Sequence, residues 1–457
     1  MIDRVSGDDL MSLASERGAL PMQVGAIMML DSSAGLGPAG VVATIVARSR
    51  RVPRLGQRLV SVPWGCGRPL WCDDLHDDGS GQVESIRCPE PRGEQGLLAL
   101  AAELVCRPLP RDGPLWRAVV VTDVGPDRAA VVLVHHHVLA DGVASLAILS
   151  ALADRTAMES GERPARHTSC VLPSRARLAR DAALGRLVSL SGLPASLRRL
   201  SSALRLLRPL AITHASRSSL NQPTGRRRRF AVVETDLGAV ALTAHEQGTT
   251  INDVLLLAVA GALHDLLATR GEDLDEVAVS MPVSDRRLAS TTELGNHSGV
   301  VAIAVRTVGD PRALLQDVHT ATRAAKLSPP GVSTALLAPL FRVLASVGLM
   351  RWFTMRQHLV HTFVSNLRGP DSPLALAGCP ITAIVPLSLT SGNVTVSFTA
   401  LSYAGRLTVS LCADPDTCPD LAVLTDLLGR RLTARADPSR AGHPVAGCSC
   451  RPSTPRS

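Results

Sequence analysis

The fold is decided by the stretch AAVVLVHHHVLADGVASLAIL, residues 129–149, which joins a buried strand to a helix through three histidines. Its apolar, largely β-branched run Val131–Val134 is typical of a fully buried strand and is too short for a helix. The loop His135–Ala140 is predicted to follow, and Asp141 is placed to cap the free amides of a helix that begins at Gly142. Imidazoles therefore lie where a strand ends and a helix begins, a place from which side chains can reach a cleft.

The length and composition predict a large globular protein with two domains. A chain of 457 residues is about twice the size at which one hydrophobic core stops growing easily, and its apolar fraction of 46% suits a large buried interior. The N-terminus does not resemble a secretory signal, and no window reaches the roughly 18 uninterrupted apolar residues of a spanning helix. Ten cysteines without paired CxxC spacing are typical of reduced thiols, so we expect a cytoplasmic protein.

Strand and helix patterns divide the chain into four segments. Residues 1–160 and 230–433 each mix strand and helix signals and are predicted to form two α/β subdomains built on mixed sheets. Residues 161–229 are basic and helical in pattern, which predicts a crossover between the two halves. Residues 434–457 have the composition of a disordered tail.

Two elements of the second half are predicted from local signals. The run INDVLLLAVAGALHDLLATRG indicates a long apolar helix closed by Gly271. The run VTVSFTALSYAGRLTVSLCAD indicates a hairpin that turns at Ala404-Gly405. Both fit the mixed α/β architecture.

The net positive charge of the crossover exceeds that of the whole protein. Fifteen arginines fall between residues 161 and 229 against two acidic residues, whereas the net charge of the protein is +8. A solvated linker and a surface for anionic membranes are both consistent with this charge. Nucleic acid is a weaker candidate, because aromatic residues make up only 2% of the chain and do not interleave the arginines. The segment Ala195–Leu210 is imperfectly amphipathic, which suits either a lipid surface or packing against the protein body.

The three adjacent histidines have three possible roles. A metal site would need further ligands from elsewhere, and adjacent histidines on a loop rarely chelate one ion together, so no metal is predicted. Buried imidazoles satisfied by the backbone, with Asp141 as a simple helix cap, are the structural alternative. A general base is the third, because imidazole titrates near neutrality and can take a proton from an alcohol or a thiol. Periodicity alone does not choose among them.

A series of short motifs carries a family resemblance over nearly the whole chain. HHVLADG, residues 136–142, matches the HHxxxDG motif of the CoA-dependent acyltransferase superfamily, which includes chloramphenicol acetyltransferases and condensation domains. The other motifs, in chain order around it, are PMQVG, PLW, TINDV, PVSDRR, LGN, VSNLRGP and SYAG. Together they resemble the bacterial wax ester synthase/acyl-CoA:diacylglycerol acyltransferase family.

The resemblance implies a fold and a mechanism. The fold would be two chloramphenicol acetyltransferase-like subdomains that form a pseudo-dimer around a central substrate tunnel, joined by the helical crossover. His137 would be the general base that takes the acceptor proton and returns it to the CoA thiolate, and His136 would shape the pocket. His135 is interpreted as an incidental extension of the strand. Gly142 would let the backbone turn tightly behind the base.

The resemblance also assigns roles outside the histidines. Asp141 would be structural and would pair with an arginine, for which Arg286 or Arg287 is expected, with a helix cap as the alternative. Asn252 and Asn366 are candidate donors to the tetrahedral oxyanion, although a capping residue and a turn residue are the respective alternatives. The hairpin residues Ser402 and Tyr403 would border the tunnel, with a plain hairpin as the alternative. Asp253 and the PLW residues Pro114, Leu115 and Trp116 are also assigned to the substrate-binding segments, and the PLW residues are interpreted as architectural.

Three departures from the family pattern bear on the substrate pocket and on the level of activity. Gln23 replaces the usual histidine of the opening motif. The stretch after RPLWCDD lacks the phenylalanine and histidine of an FDxxxH-like segment. Arg368 stands in the VSNLRGP turn, where a small or apolar residue is commoner. None of the three falls within HHVLADG.

The function implied is that of an O-acyltransferase. It would move a fatty acyl group from acyl-CoA, a co-substrate rather than a resident cofactor, to diacylglycerol or a long-chain alcohol. Its partners would be these lipids and the surface of a membrane or lipid body, and not nucleic acid. Two alternatives are a member of the fold that binds acyl-CoA or lipid without turnover, and a transferase for another hydroxyl or amine. The intact HHVLADG favours catalysis.

Overall fold

A computed structural model gives the architecture of most of the chain. The described residues are 2–6, 9–10, 12–13, 16, 22–33, 35, 37–74, 79–154, 173–191, 215–284, 294, 298–327, 344, 348–390 and 392–436. Arg286 and Arg287, the amphipathic segment 195–210 and the tail from residue 437 lie outside them.

Within these ranges the chain forms fourteen strands, nine α-helices and two short 3-10 turns. The strands are β1 (Gln23–Asp31), β2 (Gln57–Val60), β3 (Leu70–Asp73), β4 (Val83–Arg87), β5 (Trp116–Gly125), β6 (Arg128–His136), β7 (Arg229–Asp236), β8 (Glu276–Ser284), β9 (Ser298–Arg306), β10 (Thr362–Arg368), β11 (Ala375–Leu376), β12 (Cys379–Leu387), β13 (Val396–Tyr403) and β14 (Arg406–Ala413). The helices are α1 (Pro38–Ser49), α2 (Glu94–Cys106), α3 (Gly142–Leu152), α4 (Arg175–Ser191), α5 (Leu237–Glu246), α6 (Ile251–Thr269), α7 (Pro311–Leu327), α8 (Met350–Thr354) and α9 (Leu421–Ala436).

The first sheet contains the strand that leads into the histidines. Its order is β11-β12-β1-β6-β5-β4, and β1 is antiparallel to both β6 and β12. At its centre, Ile27 of β1 lies opposite Val132 of β6 and Val385 of β12. The predicted boundary at residue 230 therefore does not separate the two sheets, because the second half of the chain supplies two strands of the first sheet.

The second sheet is built entirely from the second half of the chain. Its order is β7-β14-β13-β10-β8-β9, and β10 is parallel to both of its neighbours, β13 and β8. The other pairs in this sheet are antiparallel. Two six-stranded mixed sheets, with helices packed on them, agree with the mixed α/β fold expected from the sequence.

Helix α6 lies in the core of the second sheet. Its apolar residues pack among the buried side chains of that sheet and of helices α7 and α9. Of the helices that the structure describes, it is the one long and apolar enough to cross a membrane, and 72% of it is buried inside the protein. Burial of this kind is typical of the core helix of a folded domain.

The local predictions agree with the structure at most points. The predicted strand is β6, which runs two residues further than expected and ends at His136, because it still pairs there with β1 and β5. Asp141 caps helix α3 as predicted. Gly271 follows α6 with a positive φ of 75°, and Ala404 and Gly405, with φ of 46° and 81°, form the turn of the β13–β14 hairpin.

Candidate active site

The backbone of the histidine motif is fixed from two sides. The amide of His137 donates to Met22 O at 2.7 Å, at the start of β1, and the amide of His136 donates to Leu115 O at 2.9 Å. Leu115 belongs to the PLW motif, whose Trp116 is buried and donates its indole N–H to Leu55 O at 2.8 Å. Strand and PLW motif thus hold the peptide groups around His137 in place.

The three PLW residues have structural contacts. Leu115 and Trp116 belong to the apolar core beneath the first sheet, and Pro114 forms an isolated bridge with Arg58. These contacts agree with the architectural interpretation of the motif.

The contacts of His136 define its tautomer. Its Nδ1 accepts the amide N–H of Val138 at 3.0 Å, so the ring proton is on Nε2, which lies 3.3 Å from Glu16 Oε2. Burial, followed by the nearby Arg111 cation, lowers the pKa of His136 to about 3, so the ring is neutral at pH 7 and the contact with Glu16 is a hydrogen bond. Arg111 forms an ion pair with the same Glu16 carboxylate. His136 therefore holds the loop that carries His137.

His135 extends strand β6, as expected, and its side chain is part of the interior. Its side chain is buried, with Nε2 2.8 Å from Ser145 Oγ and Nδ1 3.2 Å from His136 O. Burial lowers the pKa of His135 to about 4. Ser145 also donates to Asp141 O at 2.7 Å, so His135 supports the first turn of helix α3.

His137 differs from its two neighbours in exposure. His135 and His136 are each 1% exposed, whereas His137 is half-buried. An imidazole that acts on a substrate must be reachable, and among the three this condition is met by His137.

Asp141 is buried at the start of helix α3. Its Oδ1 accepts the amide N–H of Ala144 at 3.0 Å, which satisfies one of the free amides of the first turn. The capping role that was one of the two alternatives is therefore present. The expected pairing with Arg286 or Arg287 concerns residues outside the described ranges.

Gly142 has a different role from the one expected. It is the first residue of helix α3 and is not among the residues with positive φ, so no special turn requires a glycine there. A Cβ atom at this position would instead lie 2.7 Å from Leu367 Cδ2 of strand β10. The glycine permits close approach between the start of α3 and the strand that carries Asn366.

The VSNLRGP segment is joined to the hairpin next to it. Asn366 lies in β10 opposite Ala400 of β13, and Gly369 donates to Ser402 O at 2.9 Å. A Cβ atom on Gly369 would lie 2.4 Å from that same oxygen, so only glycine allows this approach. Arg368 points away from the core and pairs on the surface with Asp371 at 2.9 Å.

Tyr403 braces the hairpin against the first sheet. Its buried hydroxyl accepts the amide N–H of Leu374 at 2.7 Å and donates to Ile381 O at 2.9 Å. Burial raises the pKa of Tyr403. With its hydroxyl bonded on both sides, Tyr403 is a structural residue in this arrangement, and its neighbour Ser402 is also buried.

Gln23 connects the first sheet to helix α2. It lies opposite His136 in the β1–β6 pair, and its Nε2 donates to Val105 O at 2.7 Å and to Arg107 O at 2.9 Å. These carbonyls belong to the C-terminal end of α2, where carbonyl groups lack partners within the helix. The residue that replaces the family's histidine thus has a structural function.

The two residues of the ND motif have different surroundings. The buried side-chain Nδ2 of Asn252 has no hydrogen-bond partner within the described part of the chain, so it has a donor to offer. Asp253 is fully buried, and its carboxylate accepts from Thr250 in a capping box, from His319 Nδ1 at 2.8 Å and from Thr322 Oγ1 at 2.6 Å. Burial alone would raise the pKa of Asp253, but these hydrogen bonds lower it. Asp253 therefore ties helix α6 to helix α7.

Three residues of the site were missed by the sequence analysis. Glu16 and Arg111 form the ion pair next to His136, and they have no local signal, since 120 residues separate Glu16 from that histidine. Leu367 is an ordinary apolar strand residue in the sequence. The sequence signal for the contact of Leu367 was Gly142 itself, because close packing is a common reason for a glycine within a helix.

The described residues contain no group of three or more His, Cys, Asp and Glu side chains able to hold a metal ion. The chemistry offered by the site is that of a half-buried imidazole at the end of a strand.

The chain matches two family domains in succession. Residues 5–255 match the wax ester synthase/diacylglycerol acyltransferase catalytic domain, and residues 294–434 match the WS/DGAT C-terminal domain. A probable diacylglycerol O-acyltransferase of Mycobacterium tuberculosis (strain H37Rv) is 28% identical over 428 residues, which cover 88% of this chain and 89% of that protein.

Solved structures with the same fold cover almost the whole chain. The wax ester synthase/diacylglycerol acyltransferase from Marinobacter aquaeolei VT8 superimposes with a TM-score of 0.69 at 21% identity, over 95% of this chain and 98% of that one. A mutant starter condensation domain of rhizomide synthetase in complex with C8-CoA superimposes with a TM-score of 0.61 at 14% identity, over 96% and 95% of the two chains. The two-subdomain architecture predicted from the sequence is therefore confirmed at the level of fold.

Proposed function

Because the chain belongs to the wax ester synthase/diacylglycerol acyltransferase family, we propose that it transfers a fatty acyl group from acyl-CoA to the hydroxyl of diacylglycerol or of a long-chain alcohol. The names of its curated relatives support diacylglycerol as acceptor. The complex of a condensation domain of this fold with C8-CoA supports a CoA thioester as donor.

His137 is the general base in this proposal. Its imidazole takes the proton from the acceptor hydroxyl as the oxygen attacks the thioester carbonyl. When the tetrahedral intermediate collapses, the carbon–sulfur bond breaks and the CoA thiolate takes that proton back, so the products are an ester and free CoA. The observation that supports this assignment is the partial exposure of His137 beside two fully buried, neutral histidines.

Asn252 is the preferred donor to the oxyanion. Its side-chain N–H group is buried without a partner in the described ranges, and such a donor stabilises charge that develops only during the reaction. Asn366 is the second candidate, because its strand contacts the helix that follows His137 through Leu367 and Gly142.

We place the reaction in the cytoplasm at the surface of a membrane or lipid body. The acceptors and products are too apolar to travel through water, so adsorption to lipid brings the enzyme to its acceptor. The basic crossover is the part of the chain that suits such a surface, and nucleic acid is not an expected partner.

The decisive measurement is acceptor-dependent release of CoA thiol from palmitoyl-CoA. Diacylglycerol, hexadecanol and a no-acceptor control are compared, and the ester product is identified by mass spectrometry. Thiol release with either lipid acceptor, and none without, is the expected result. Tight binding of palmitoyl-CoA with no release for any acceptor would contradict catalysis, and release with other hydroxyl or amine acceptors only would contradict the lipid substrates.

A further inference from the structure

Trp64 is fully exposed at the tip of a tight turn. The amide of Cys66 donates to Pro63 O at 3.0 Å, and Gly65 has a φ of 85°, the arrangement of a type II turn with Trp64 at its second position. The relative exposure of Trp64 is 102%. An exposed tryptophan is unusual, since its large apolar ring gains free energy from burial.

Helix α4 runs beside this turn and exposes leucines. Leu178 and Ala182 are its buried contacts with the body, whereas Leu184 and Leu187 are more than half exposed. At 100° per residue, both leucines lie on the opposite side of the helix from Leu178.

The same helix exposes arginines. Arg177 and Arg180 share the outer side with the two leucines, and Arg186 lies on the flank that faces the turn. The acidic residue of this helix, Asp181, pairs with Arg4 at 2.7 Å, so the charge of the outer side is positive.

The turn and the helix form one packed unit. Arg4 donates to Arg68 O at 2.8 Å and to Leu178 O at 3.1 Å, which ties the loop to the helix. Arg186 donates to Gly65 O at 3.4 Å, and Cys66 and Leu178 share a small apolar cluster. Trp64 is therefore exposed on a turn that is itself packed against helix α4.

We infer that Trp64, Arg177, Arg180, Leu184, Arg186 and Leu187 form a docking surface for anionic phospholipid, here called the Trp64 surface. A tryptophan and leucines among arginines suit the boundary between headgroups and acyl chains, where the apolar side chains insert and the guanidinium groups meet phosphate. The exposed leucines would add nothing to binding of nucleic acid, which uses charge and aromatic stacking. The inference rests on the proposed function, because it assigns the lipid surface to named residues.

The test is co-sedimentation of the full chain with vesicles of phosphatidylcholine alone and with 30% phosphatidylglycerol. Three variants are compared: Trp64→Ser/Leu184→Ser/Leu187→Ser, Arg177→Gln/Arg180→Gln/Arg186→Gln, and the control Trp352→Ser, which removes another exposed tryptophan. A 20-nucleotide single strand and size-exclusion chromatography with light scattering test nucleic acid and self-association as occupants.

Wild type and the Trp352 control are expected to bind the anionic vesicles equally, and both surface variants at least about tenfold more weakly. Each arginine near an anionic leaflet raises the binding constant by about fivefold. Binding should also weaken with salt. Equal binding by the surface variants, or an equal loss in the control, would overturn the inference. Tighter binding to the oligonucleotide, or a change from oligomer to monomer in the apolar variant, would assign the surface to another partner and overturn it as well.

Activity separates this inference from the proposed function. With a water-soluble short-chain alcohol as acceptor, the surface variants should keep the wild-type rate, and with diacylglycerol in anionic vesicles they should lose activity in parallel with binding. A wild-type protein that binds the vesicles through this surface but releases no CoA would contradict the proposed function and leave the surface established.

Discussion

Leu367 occupies the space that a side chain on residue 142 would need, with its Cδ2 atom 2.7 Å from the position of a Cβ on Gly142. The helix that begins directly after the histidine loop is therefore in contact with strand β10 of the second sheet. The two halves of the molecule meet at the motif itself, so the histidine loop and Asn366 are positioned relative to each other through this contact.

Gly142→Ala is expected to cost about 1 kcal/mol of the free energy of unfolding, because the added methyl group displaces Leu367. The double variant Gly142→Ala/Leu367→Ala should lose less than the sum of the two single variants, since the second change restores the space. Urea unfolding of the four proteins measures this coupling. Additive losses would show that the two residues do not contact each other in solution.

His137→Ala is expected to lower the rate of acyl transfer by about 10²- to 10⁴-fold and to leave the unfolding free energy nearly unchanged. His135→Ala is the matched control, and it should have the opposite profile, with a loss of about 1–3 kcal/mol of stability because its hydrogen bond to Ser145 is removed from the interior. Initial rates and urea midpoints are measured on the same preparations. Wild-type turnover in the His137 variant would rule out the proposed mechanism.

Glu16→Ala is expected to destabilise the protein by about 1–3 kcal/mol, because it leaves the buried His136 N–H without its acceptor. Glu16→Gln should retain most of the stability, since the amide oxygen of glutamine can still accept the hydrogen bond from His136 Nε2–H. Glu103→Ala, at an exposed position of helix α2, is the control and should have little effect. If all three variants unfold at the same urea concentration, Glu16 does not hold His136.

Stability is expected to fall as the pH is lowered from about 6.5 towards 4. The pKa values of His135 and His136 in the folded protein are about 4 and about 3, below the ordinary value, so in this range the unfolded chain binds more protons. Each histidine then contributes a loss of about 1 kcal/mol per pH unit. Urea unfolding between pH 4.5 and 8 measures the slope. A flat profile would mean that the two rings are not held neutral by burial.

Neighbouring residues of the ND motif are expected to respond differently to substitution. Asp253→Ala should lower the unfolding free energy by at least about 2 kcal/mol, because His319 and Thr322 lose their buried acceptor. Asn252→Ala should leave stability almost unchanged and lower kcat by about 10²- to 10³-fold, as expected for loss of an oxyanion donor. Urea unfolding measures the stability of both variants, and steady-state kinetics measures their kcat. A normal kcat in the Asn252 variant would exclude that residue as the oxyanion donor.

The elements that could be predicted from the sequence are those defined by neighbouring residues. Strand β6, the Asp141 cap and the hairpin at Ala404-Gly405 each depend on side chains within one strand or one turn, so their patterns are complete in a short window. The general architecture followed from the order of such elements and from the family motifs.

The contacts that could not be predicted join residues far apart in the chain. Glu16 lies 120 residues before His136 in the sequence, and nothing in either segment specifies the other. The role of Gly142 depends on Leu367, and the role of Gln23 depends on carbonyl groups more than 80 residues away. Partners of this kind depend on the packing of whole elements, which periodicity does not encode.

The pairing of β1 with β12 also determines the order in which the protein can fold during synthesis. Until the ribosome has translated residue 387, β12 is incomplete, so a β1 strand that has already paired with β6 would be an edge strand with a row of unpaired N–H and C=O groups. The nascent first half must keep this edge from other chains while the rest of the protein is made. A fragment that ends before β11 would expose the same edge permanently, and aggregation rather than a stable half-molecule is its expected fate.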